Sequence, residues 1–188
     1  MPRKKTKVFD LVGTDHLRTK FIINDETLEQ ISQFTYLGCS ISYQFSNDAE
    51  FKLPKFLQLI GTIKRTIFRK VRTETILKIY STLVLPTFLY GSENWTLTAL
   101  QRQRIEAAEM KLLRPLAGYT LLDHKTNDSV RRELQTECIL EKIVEYRRNW
   151  LLHLQRMPLK RIPLKSYHYR PKGRRTIGRP KKRWRKQL

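Results

Sequence analysis

Acidic residues run out early in this chain. None follows Glu145, although the remaining 43 positions carry sixteen lysines and arginines. Over all 188 residues, Lys+Arg 38 against Asp+Glu 17 leaves a net charge of +21. The first 145 residues hold only +5 of it, so a mildly basic body precedes a cationic arm. Cysteine is almost missing. Cys39 and Cys138 are too few and too far apart for a disulfide framework and read as free, buried thiols. With only those two and scattered His16, His124, His153 and His168, no zinc spacing can be assembled. No apolar run reaches 18 residues, because Pro86 and Thr87 interrupt the longest one, so no membrane partner is expected. Met1-Pro-Arg-Lys-Lys is basic, but no apolar segment of signal-peptide length comes after it. A Gly-rich phosphate loop is lacking, and Ser92 beside Gly91 lacks the flanks of a nucleophile elbow. No cofactor is implied. The six aspartates (Asp10, Asp15, Asp25, Asp48, Asp123 and Asp128) include no adjacent pair.

What is present begins with a helix. Ile76, Leu77, Ile79, Tyr80, Leu83 and Val84 recur at i, i+3, i+4 and i+7, apolar on most sides, as in a helix packed inside a bundle. Pro86 is expected to kink or end it, Gly91 to turn the chain, and Trp95 to serve as a large apolar anchor just after the turn. A second helix runs from Asn47 or Asp48, either of which can cap it, to about Lys70. Its apolar set is Phe56, Leu57, Ile60, Ile63 and Ile67, with Pro54 awkward unless it lies in the first turn. Thr73 can cap the Ile76 helix, and Thr98 the next, from Ala99 to about Arg114, which Pro115 ends before Gly118 turns. Ile105, Ala108 and Leu112 face inward there, while Arg104, Lys111 and Arg114 share another face. Asn127 or Asp128 caps a short helix to about Leu134. The last long helix covers roughly Glu137 to Arg156, with Ile139, Leu140, Ile143, Tyr146, Trp150, Leu151 and Leu154 on one stripe. Arg147 sits inside that stripe and must snorkel or find a partner. Pro158 and Pro163 stop the helical pattern, and from about Lys160 the chain is expected to be disordered without a ligand. Before all this, strand-prone runs at Val8–Val12, Phe21–Ile23 and Phe34–Leu37 give a small antiparallel sheet over residues 7–43, with Gly38 permitting a bend.

The expected fold is therefore mainly α. A short N-terminal antiparallel β region (1–46) precedes a helical bundle (47–158) and a disordered basic tail (159–188).

Four segments, in order, resemble the C-terminal part of reverse transcriptases of non-LTR (LINE-type) retrotransposons. They are QFTYLGCSIS from Gln33, LPTFLYGSENWTL running on to RIEAAEMKLLRPLAGYT, RMPLKRIP from Arg156, and GRRTIGRPKKRW from Gly173. The resemblance covers about Lys4 to Trp184. It implies a primer-grip hairpin at Tyr36, Leu37 and Gly38, a thumb-like helical bundle that lies along duplex, and a basic tail. This chain departs from the family at Pro54 and Pro115, where a non-proline is usual. The family's polymerase needs palm carboxylates that hold two metal ions, the last pair as adjacent aspartates. Those are missing here, so polymerase activity is not expected to carry over.

Candidate nucleic-acid-binding residues are Tyr36, Leu37 and Gly38 at the hairpin and Lys52, Lys55, Lys64, Arg65, Arg69, Lys70, Arg104 and Lys111 on the helical body. Arg174, Arg175, Arg179, Lys181, Lys182, Arg183 and Trp184 in the tail complete the set. Lysines and arginines contact phosphates and so grip without reading sequence, and Trp184 can stack on an exposed base. The implied partner is RNA or DNA, with a full-length reverse transcriptase as a further one, and the nucleus is the expected compartment. Two other readings stand beside this one. Gly178-Arg179-Pro180-Lys181-Lys182-Arg183 resembles an AT-hook, although Ile177 replaces the first arginine, which fits a DNA-architectural protein. The prolines and an exposed hairpin edge also fit a decayed retrotransposon remnant.

Overall fold

Leu37 and Gly38 close the best-formed strand pair. Both have positive φ, at 48° and 77°, as a two-residue type I′ hairpin turn requires. The strands they join are β5 (Gln33–Tyr36) and β6 (Cys39–Ser42), antiparallel with Phe34 opposite Ile41 and Tyr36 opposite Cys39. The computed structural model describes residues 6–9, 20–23, 26–42 and 48–169. The tail from residue 170, with Arg174, Arg175, Arg179, Lys181, Lys182, Arg183 and Trp184, lies outside the described residues, as does Asn47.

The chain divides into two units, Met1–Lys52 and Leu53–Leu188. In the first, β2 (Ile22–Ile23) pairs antiparallel with β3 (Glu26–Thr27). The antiparallel expectation fails for β1 (Lys7–Phe9), which runs parallel to β4 (Glu29–Ile31). A Lys7–Glu29 ion pair of 3.0 Å lies across that ladder, on its solvent side.

Helix α1 spans Asp48–Thr66 and starts within the first unit. In the second unit its residues Phe56, Ile60 and Ile63 are buried, as their spacing predicts. Pro54 lies inside this helix rather than in its first turn. The helix carries on because the proline is on an exposed side, where the lost amide bond costs least.

The next helix is continuous from α2 (Thr73–Ile79) through a π segment (Tyr80–Val84) into α3 (Leu85–Leu89). Thr73 is its first helical residue, and the cap position belongs to Arg72 without a side-chain bond. Pro86 does not end the helix. It is the second residue past the π segment, whose wider i→i+5 bonding absorbs the disturbance a proline makes. The chain leaves the helix at Tyr90, and Gly91 turns it at φ 76°. Nor is this helix apolar all round in its packing. Ile76, Tyr80, Val84, Leu85, Phe88 and Leu89 are buried, but Leu83 is exposed. Phe88 sits 4.4 Å from Phe56 and 5.2 Å from Trp95, ring centre to ring centre, so three elements meet on one aromatic cluster.

Helix α4 (Ala99–Leu116) opens on a full capping box between Thr98 and Gln101. Pro115 does not stop it; the end comes at Gly118, φ 77°, where the Tyr119 amide reaches back to the Arg114 carbonyl at 2.9 Å. Helix α5 (Asn127–Glu133) is capped by Thr126, one residue earlier than expected. Thr126 wins because its hydroxyl accepts the Ser129 amide while its own backbone is extended. Met110, Leu113 and Val130 bury the α4–α5 seam.

Helix α6 (Ile139–Gln155) buries Ile139, Ile143 and Leu154. A last helix, α7 (Ile162–His168), corrects the expectation of disorder from Lys160 onward. Pro163 falls in its first turn, where proline is tolerated, and Leu164 is buried. Cys39 and Cys138 are free but half-buried, not buried.

Candidate nucleic-acid interface

The hairpin tip presents apolar rather than charged groups. Tyr36 is 59% exposed and Leu37 71% exposed. Their position is fixed from beneath: the Phe34 ring meets Tyr36 edge-on at 6.5 Å, and the Ser40 amide donates to the Asp48 carboxylate at 2.7 Å. Asp48 also takes the Lys52 ammonium at 2.7 Å, and the Cys39 sulfur lies 3.8 Å from the same nitrogen. Lys52 is therefore engaged in an ion pair at the start of α1, unlike the other described lysines assigned to the phosphate-gripping set.

On α1, Lys55, Lys64 and Arg65 are exposed and carry no ion pair among the described residues. Lys55 and Lys64 are nine positions apart, so at about 3.6 residues per turn they point in opposite directions. They coat the helix and do not form one face. Arg69 and Lys70 are exposed just beyond it. On α4, Arg104 and Lys111 are both exposed and seven residues apart, which puts them on one strip about 10 Å long. Arg114 does not join that strip: its guanidinium donates to the Asn127 side chain at 2.7 Å and is half-buried.

One polar cluster escapes sequence reasoning. Glu109 is 1% exposed in the middle of α4. It accepts from Arg131 of α5 at 3.0 Å and from the Tyr80 hydroxyl at 3.1 Å. Arg131 also donates to Glu106 at 2.8 Å and to Asp128 at 2.9 Å. Burial pushes the Glu109 carboxyl above the usual range, against the pull of Arg131 and Tyr80. Burial, and then Glu109, push the Tyr80 phenol far above its ordinary value. Burial works against the Arg131 charge, but its bonds to Glu106 and Glu109 outweigh that and raise its pKa. The Arg131 bond holds Glu106 below the usual range. These groups tie α4, α5 and the π segment together, and Glu109, Tyr80 and Arg131 at their centre are buried, so their work is structural. The available signal was Glu109 falling four residues after buried Ile105, within an inward-facing run.

Of the two outcomes expected for Arg147, snorkelling does not occur: it is 1% exposed, and burial, then the nearby Arg102 charge, lower its pKa. Tyr146 is 37% exposed and so departs from the expected core stripe. Among the described residues no three His, Cys, Asp or Glu side chains cluster as a metal site, and no helix is long and apolar enough to cross a membrane.

No established protein family matches the sequence, and no solved structure matches it. The chain is similar to an uncharacterized transposon-derived protein of Caenorhabditis elegans, 28% identical over 111 residues. The match covers 56% of this chain and 40% of that protein, so the chain spans well under half of its relative's length.

Proposed function

We propose that this chain derives from a transposon and is a non-catalytic piece of a non-LTR reverse transcriptase that holds RNA or DNA by the backbone. The observation that carries the reading is a set of exposed cations on rigid helices, without ion pairs among the described residues: Lys55, Lys64, Arg65, Arg104 and Lys111. Ten more lysines and arginines come after residue 169 in the sequence, with no acid among them. Such groups bind phosphates and leave the bases unread. The likeness to a transposon-derived protein supports the origin. The lack of adjacent aspartates supports binding without phosphoryl chemistry. By the same reading the exposed Tyr36–Leu37 tip meets a primer strand, a full-length reverse transcriptase is a partner, and the basic run Arg179–Arg183 directs the chain to the nucleus.

The test is a salt titration. If about eight phosphates are engaged, affinity for a mixed-sequence duplex falls roughly 10³–10⁵-fold between 50 and 200 mM salt. A binding constant that stays level across that range rules the backbone grip out. Competition with A·T-rich against G·C-rich duplex should show little preference. Strong A·T selection would mean that the tail enters the minor groove instead.

A further inference from the structure

On α6, Tyr146, Trp150 and His153 recur at i, i+4 and i+7, which sets three rings on one helix face. That face lies beside the buried seam of Ile139, Ile143 and Leu154, not within it. The rings line an open groove of about 370 Å³ together with Asn149 and with Glu93 of the Ser92–Asn94 turn. The Trp150 and His153 rings are 5.3 Å apart and inclined by 34°, close to an offset stack. Arg156 comes one turn after His153, its Nε held by the Leu152 carbonyl at 3.2 Å.

We propose that this groove is a stacking site for one unpaired nucleobase of a single strand. Aromatic faces take any base, because every base has a π-face. Asn149 and Glu93 supply donors and acceptors for the base edge, and Arg156 stands where the strand's next phosphate would pass. The groove is at the small end of the ~300–1,000 Å³ range of ligand pockets, sized for one ring system rather than a stacked pair of strands. The site rests on the proposed nucleic-acid binding but adds what the surface cations cannot give, a contact that needs the base itself.

The experiment uses the full chain carrying Trp184→Phe. Trp95 is 1% exposed, so Trp150 then reports the groove by its fluorescence. Three ligands of equal length are compared: an intact single strand, the same strand without bases, and a duplex. The intact strand should quench Trp150, while the abasic strand and the duplex bind without quenching. Tyr146→Ala and His153→Ala alter exposed positions and should keep the helical circular dichroism. Each should lower affinity for the intact strand ~5–150-fold, the range expected for removing one base stack, with the salt dependence unchanged. Equal quenching by all three ligands, or variants that bind the intact strand as tightly as the parent, overturns the stacking site and leaves the backbone reading standing. Failure of every ligand to bind at low salt overturns both.

Discussion

Glu109 would be a liability without Arg131. A carboxylate this deeply buried survives only while charged and polar partners surround it. Arg131→Met should therefore cost about 3–5 kcal/mol, since it strands that charge. Thermal melting checks this, and a loss under about 1 kcal/mol would mean that Glu109 is already neutral. Tyr80→Phe removes one donor and should cost about 1–3 kcal/mol. The pH dependence comes from the sign of the Glu109 shift. Its folded pKa lies above the unfolded value of about 4.3, so the folded state keeps the proton longer. Stability from this group is full below about pH 4.3 and drains away as pH rises through the folded value. Glu106 works oppositely: held low by Arg131, it stabilises above about pH 4.3 and fails on acidification. Glu109→Gln should thus flatten the fall in melting temperature as pH rises above about 4.3 while leaving the acid limb in place. An unchanged slope in that window would show that Glu109 does not titrate there.

At the scale of elements, caps and breakers decide the outcome. Thr98→Ala removes half of a complete capping box and should cost about 1 kcal/mol. Pro54→Ala should do the reverse. Proline in a helix interior costs up to ~3 kcal/mol, partly offset by a more restricted unfolded chain, so a net gain of about 1–2 kcal/mol is expected. That would raise the melting temperature by roughly 2–8 °C, and no rise would mean that α1 is already relaxed around the ring. Most helices were legible because their apolar residues recur at 3.6, as Phe56, Ile60 and Ile63 do. Thr98 and Gly118 mark their ends plainly. Other termini were misread because several candidates compete: Thr126 displaced Asn127 and Asp128, and an extended Arg72 took the cap place of Thr73. Proline was over-weighted at Pro54, Pro86 and Pro115, because an exposed or terminal position makes the missing amide cheap. Tertiary facts were hidden. Nothing in the local pattern says that Leu83 faces out, that Lys52 is spent on Asp48, or that Tyr146 leaves the core stripe for a groove.

Across the whole molecule, charge and packing are separated. The ionic cluster around Arg131 and Glu109 is buried at its centre, while Lys55, Lys64, Arg65, Arg104 and Lys111 are exposed and ten more lysines and arginines follow residue 169 in the sequence. Ending the chain after Tyr169 removes ten positive charges but none of the described core. It should leave the melting temperature within a degree or two and reduce the slope of log affinity against log salt by about 0.9 for each phosphate no longer neutralised. An unaltered slope would confine nucleic-acid binding to the helices.

The widened turn at Tyr80–Val84 has a consequence for how this gene can tolerate change. One surplus residue is housed there, so losing one closes the wide turn into ordinary α geometry. Deleting solvent-facing Thr82 would keep Leu85, Phe88 and Leu89 on the aromatic cluster, whereas the same deletion inside regular α1 would swing every later residue by about 100°.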